Sequence, residues 1–141
     1  QHLASMKQIF INLPVRNLLA SVHFYTQLGF VLNPVFSFDD QKCMAWSDQI
    51  LLMLQNYEMF QTGNGKPIPN PKEHTNCSFT LPVESVEQMN LMVEAALQAG
   101  GLEILPKIEE TFMQVRTISD LDGHVWGVIY LDMIKFSALK S

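Results

Sequence analysis

The chain has 141 residues, of which 48% are hydrophobic and 16% charged, with a formal net charge of −5. That balance excludes a disordered chain, and a net acidic protein is a poor match for nucleic-acid binding by phosphate neutralisation. No apolar run approaches the ~18–20 residues that span a bilayer, and a chain of this length is one domain overall, able to fold without disulfides or metal.

Residues 1–5 resemble a cloning remnant and carry no secretory pattern, so His2 is set aside. Met6 opens a first module, residues 6–60. An apolar strand over 7–14 ends near Pro14, Asn17 caps a helix over 18–28, and Gly29 follows it. Leu18, Val22, Tyr25 and Leu28 share one face of that helix at core spacing. Three extended runs follow over 30–38, 42–47 and 50–54, parted by Asp39-Asp40 and Asp48. Residues 57–60 have the pattern of a single helical turn. The segment 61–74 holds Gly63, Gly65, Pro67, Pro69 and Pro71 and reads as a linker or flap, with a passive tether and a functional flap equally open.

A second module covers 75–133 and repeats the plan. A strand over 76–83 ends near Pro82, and Ser85 with Gln88 forms a capping-box signature. A helix over 86–99 places Val86, Met89, Val93 and Leu97 on one face, and Gly100-Gly101 follows. Extended runs cover 102–109, 112–119 and 124–131, with Asp122-Gly123 as a two-residue hairpin signal between the last two. Residues 134–141 read as a C-terminal tail. Cys43 and Cys77 are too few for a disulfide scaffold, which points to a reduced, cytoplasmic pair.

The two modules share a repeat. Leu13-Pro14-Val15-Arg16-Asn17-Leu18 recurs 68 residues later as Leu81-Pro82-Val83-Glu84-Ser85-Val86, with an apolar stretch before each copy and a helix after it. The fold class is therefore α+β, with two tandem βαβββ modules.

Three stretches carry a family resemblance. They are Ile11-Asn12-Leu13-Pro14-Val15-Arg16-Asn17-Leu18, then Ser21-Val22-His23-Phe24-Tyr25 with Leu28-Gly29-Phe30, and finally Asp120-Leu121-Asp122-Gly123-His124-Val125-Trp126. Together with the duplication they resemble the vicinal oxygen chelate superfamily, which includes glyoxalase I, extradiol dioxygenases, and fosfomycin- and bleomycin-resistance proteins. The chain is most similar to its branch of predicted lactoylglutathione lyases. The resemblance implies curved, mostly antiparallel sheets around a cleft, with helices outside and commonly a homodimer.

In the metal-dependent members four side chains, usually His, Glu, His and Glu, hold one divalent ion. Carried over motif by motif, those positions fall on Phe10, Ser78 and Gly127 and near Met53, where a two-residue shift would put Leu51 or Gln55 on the same face. An aromatic ring, a thioether, a hydroxyl and a bare backbone are a poor donor set for a borderline dication, so neither metal nor other cofactor is expected. Of the other histidines, His23 reads as a helix-surface residue, His74 as a linker residue and His124 as a turn residue. What remains is an inter-module cleft lined by Phe10, Asn12, Met53, Ser78, Thr80 and Arg116, with Met44, Trp46 and Met113 as further candidates. Arg116 either anchors an anionic group there or pairs with Glu109 or Glu110. The sequence thus favours metal-free binding of a small, largely apolar molecule. The competing reading is a metal-dependent lyase, isomerase or dioxygenase, as the resemblance implies.

Overall fold

The computed structural model describes residues 7–140. The expected remnant at residues 1–5, and Met6, lie outside the described residues. The chain divides into two compact units, residues 1–69 and 70–141.

In the first unit β1 (Ile9–Pro14) leads to α1 (Leu18–Leu28), then β2 (Val31–Phe38), β3 (Gln41–Ala45), β4 (Ile50–Gln55) and α2 (Tyr57–Asn64). The sheet order is β1-β4-β3-β2. The helix carries the chain from β1 to the far edge, and the meander then brings β4 back parallel beside β1, with Phe10 opposite Leu51 and Asn12 opposite Met53. Asn17 caps α1 by accepting from the Ala20 amide at 3.0 Å. Ser21, Phe24, Tyr25 and Leu28 are the buried residues of α1. The buried stripe is thus rotated from the expected one, with Phe24 rather than Val22 inside; its ring meets Tyr25 edge-on, and Tyr25 in turn meets Phe30.

The second unit repeats the order: β5 (Ser78–Val83), α3 (Val86–Gln98), β6 (Leu102–Glu103), β7 (Ile108–Glu109), β8 (Met113–Ser119), β9 (Val125–Leu131) and α4 (Met133–Ala138). Its sheet runs β5-β9-β8-β6, with β7 also on β8. β9 is parallel to β5, with Ser78 opposite Val125 and Thr80 opposite Gly127. Ser85 accepts from the Gln88 amide at 3.0 Å, and the Gln88 side chain accepts from Glu84 rather than from Ser85 itself.

Several expectations are corrected. The single run over 102–109 is two short strands, parted around Pro106, which has no backbone N–H to give to a ladder. The turn after β8 is longer than two residues: Ser119 faces Val125, and residues 120–124 form the loop. Asp120 Oδ1 accepts from the amides of Asp122, Gly123 and His124 at 2.8–3.0 Å, and only Gly123 takes a positive φ, +112°. A Cβ on Gly123 would come within 2.7 Å of the Pro71 carbonyl and the Lys72 amide, so the start of this unit lies directly on the turn. The presumed single turn at 57–60 continues to Asn64, capped by Asn56 at one end and by left-handed Gly65 at the other. The presumed C-terminal tail holds α4, capped by Asp132.

Prolines lie in or beside the outer strands. Pro14 lies in β1, Pro34 in β2 and Pro82 in β5, while Pro106 separates β6 from β7. Pro14 does not end pairing as expected, since Val15 still donates to the Gln55 carbonyl at 2.8 Å. Ile9 and Val15 turn their amides toward β4, so the alternate position of Pro14 points away from the sheet, where a donor is not needed.

Candidate functional site

Strand parity divides the first sheet into two faces. One face meets α1: Trp46 stacks on Phe30, and Met44, Leu52 and Leu54 are sealed there. The opposite face carries Phe10, Asn12, Leu51, Met53, Gln55, Gln41, Cys43 and Ala45, all mutual Cα partners across β1, β4 and β3. Cys43, Leu51 and Met53 form a buried cluster on it, with Phe36 and Ala45 packed alongside. Phe10 meets Phe36 edge-to-face at 5.3 Å and stays 41% exposed. Burial among these apolar groups pushes the Cys43 thiol above its ordinary pKa, so the thiol stays protonated and inert.

In the second sheet, Arg116 marks the face that α3 covers. Its guanidinium forks onto Glu103 at 2.7 and 2.9 Å and also donates to Asn90 and Glu94 of α3. The face turned from α3 carries Ser78 and Thr80 on β5, Val125 and Gly127 on β9, and Val115, Thr117 and Ser119 on β8. Two threonines thus flank Gly127. A Cβ at Gly127 would meet Thr80 Oγ1 at 3.8 Å and Val115 Cγ1 at 3.9 Å, ordinary contact distances.

Of the expected site residues, Phe10, Asn12 and Met53 share one face of the first sheet, and Ser78 and Thr80 share one face of the second. Arg116 does not lie with Ser78 and Thr80. It sits one residue out of phase with Val115 and Thr117, under α3, and its partners are Glu94 and Glu103 rather than Glu109 or Glu110. Its contact with two carboxylates holds the Glu103 carboxyl below its ordinary range and the guanidinium above its own. Met44 and Trp46 lie on the α1 side, whereas Met113, opposite Leu131, has the parity of Val115 and Thr117. Sequence reasoning missed Phe36, Cys43 and Thr117; alternation within each strand would have found them once the neighbouring register was fixed.

The donor set does not fit the divalent ion that the family resemblance implies. Neither face described above presents an imidazole or a carboxylate on its paired strand positions. Among the described residues, no three His, Cys, Asp or Glu side chains converge as a metal would require.

No protein-family model and no curated protein matches the chain. Solved structures do. A hypothetical protein from S. aureus superposes with a TM-score of 0.75 at 24% identity, over 89% of this chain and 94% of that one. A glyoxalase-related enzyme from Fulvimarina pelagi gives 0.74 at 20% identity, over 89% and 88%. A glyoxalase/bleomycin resistance protein/dioxygenase family enzyme from Burkholderia phytofirmans PsJN gives 0.72 at 16% identity, over 86% and 96%. The chain therefore has the glyoxalase/bleomycin resistance/dioxygenase fold, that of the vicinal oxygen chelate proteins.

Proposed function

We propose that the protein binds a small, largely apolar molecule, without a metal ion, at the sheet faces turned away from α1 and α3. The observation that carries this reading is the first unit's cluster. Phe10 is open to solvent, seated beside Phe36 and opposite Leu51 of the buried cluster, with Asn12, opposite Met53, next in line on the same face. An aromatic and thioether surface adapts to varied apolar shapes, and a nearby amide fixes orientation. Ser78 and Thr80 add hydroxyl groups on the second face. A fold shared with lyases and dioxygenases does not bring their chemistry with it, because activity resides in the site residues.

The experiment uses protein labelled with 13C at its methionine methyls. Added 2-naphthol shifts the Met53 signal, and Phe10→Ser, which copies the repeat-equivalent Ser78, weakens that binding several-fold. A Met53 signal that never moves, or elemental analysis giving one Zn, Ni, Mn or Fe per chain after dialysis, would overturn the reading. The same reading includes a homodimer, as the family resemblance implies; light scattering that gives only 16.0 kDa would remove it.

A further inference from the structure

The first unit holds a pocket of about 470 Å³ between the ends of β1 and β4, the turn after β2, and α2. Its chemistry is lopsided. Asp40 and Glu58 line it with carboxylates, Asn12 and Gln55 with amides, and Phe60 and Met59 supply the apolar wall; no Lys, Arg or His lines it. Arg16, from the same unit, is held over the Tyr57 ring at 4.8 Å and is not part of the lining.

A second observation concerns Gln55. Gln41 is only 8% exposed, and its Nε2 donates to the Phe36 carbonyl at 3.0 Å. That bond fixes the Gln41 amide, so its Oε1 accepts from Gln55 Nε2 at 2.8 Å. The relay anchors Gln55, a residue of the pocket lining, through its donor end, and its Oε1 is not engaged in that bond. The pocket is also held rigid: the Asp40 carbonyl accepts from the Asn56 amide at 3.0 Å, and the Asn56 side chain caps α2. Among the described residues neither Asp40 nor Glu58 has an ion-pair partner.

We infer that this pocket binds the cationic nitrogen head, an ammonium, amidinium or guanidinium, of a small molecule. Two carboxylates and an oriented amide oxygen match N–H donors bearing positive charge, and the Phe60 ring face favours a cation. An anionic or purely apolar guest would leave those acceptors unmatched. The inference rests on the reading above, since Asn12 lies both in this pocket and on the apolar face, and it specifies the ligand as an apolar body with a cationic head.

The test compares phenethylammonium, neutral 2-phenylethanol and anionic 3-phenylpropionate at matched ionic strength, using 15N-labelled protein with 13C-methyl methionine. The ammonium probe shifts the Asn12 and Gln55 side-chain amides and binds about tenfold more tightly than the alcohol, in line with charge-assisted hydrogen bonding; the carboxylate produces no shift there. The exposed pair Asp40→Asn and Glu58→Gln, changed together, removes that preference. Gln41→Leu reduces it by about threefold, since the hydrogen bond that orients Gln55 is lost. Equal affinity for the three probes, or a preference that survives the double variant, overturns the inference. If 2-phenylethanol moves Met53 while the ammonium shows no preference, this inference fails and the apolar-face reading stands. If the ammonium shifts Asn12 and Gln55 while Met53 stays still, the apolar-face reading fails and the cationic head remains.

Discussion

The two units share one backbone plan and place different chemistry on equivalent positions. Phe10 and Ser78 occupy the same step of the repeat, as do Asn12 and Thr80, and their partners across the parallel pair are Leu51 against Val125 and Met53 against Gly127. The first face is large, aromatic and sulfur-bearing, with Met53 only 3% exposed. The second is small and hydroxylated, with a glycine at its centre. The register of a sheet is set by main-chain pairing and by the face under the helix. The other face is then free to diverge without disturbing the fold.

The comparison predicts opposite outcomes for the same final residue. Met53→Ala deletes a buried side chain and costs about 2–5 kcal/mol in urea unfolding, as large-to-small core changes do. Gly127→Ala, at the equivalent position, stays within about 1 kcal/mol, because the new methyl finds only ordinary contacts and the unfolded chain loses freedom. Equal losses would show that the two faces are packed alike.

Next in size is the polar tie beneath α3, which has no counterpart among the bonds described for the first unit. Arg116→Met leaves Glu103 without its fork, and the cost sits at or below the low end of about 3–5 kcal/mol because Glu94 is largely solvated. The Glu103 carboxyl is depressed in the folded state, chiefly by its hydrogen bond to Arg116. Its stabilisation is therefore full above the ordinary glutamate value of about 4.3 and is lost as pH falls through the lower folded value. Glu103→Gln should flatten the pH dependence of stability below that point. An unchanged acid limb would remove Glu103 from the account.

The smallest effect is kinetic. Cys77 is exposed and Cys43 is buried on the first face, so a disulfide reagent should label Cys77 quickly and Cys43 only through opening of the first unit. Bound 2-naphthol should slow the Cys43 phase and leave Cys77 alone. Slowing of both would place the probe elsewhere.

The repeat, both long helices and their caps, and most strands were legible because they rest on local signals: proline near a strand end, Asn17 or Ser85 before a periodic run, glycine after it. Arg116 was misplaced because a strand's content does not reveal its phase. One residue decides the face, and that phase is set by pairing with Gly127 and Val128 on β9. Asn90 and Glu94, polar residues beside the buried Met89 and Val93 of α3, were the available hint that a cation lay opposite. The Gln41–Gln55 relay was out of reach, since it joins residues on separate strands through a register that sequence spacing does not supply. α2 was underread, although Asn56 and Gly65 are ordinary start and stop signals.

The prolines on the outer strands bear on how copies of this chain meet. An exposed strand edge is a template on which another chain can continue the sheet, the route to runaway self-association. Here Pro14 and Pro82 remove a donor near the end of β1 and β5, Pro34 coincides with the break in pairing between β2 and β3, and Pro106 splits the opposite border of the second sheet. A strand laid along any of these borders would meet a missing bond within a few residues. Main-chain addition is thereby interrupted at each of these prolines, whereas contacts through side chains on the sheet faces meet no such gap.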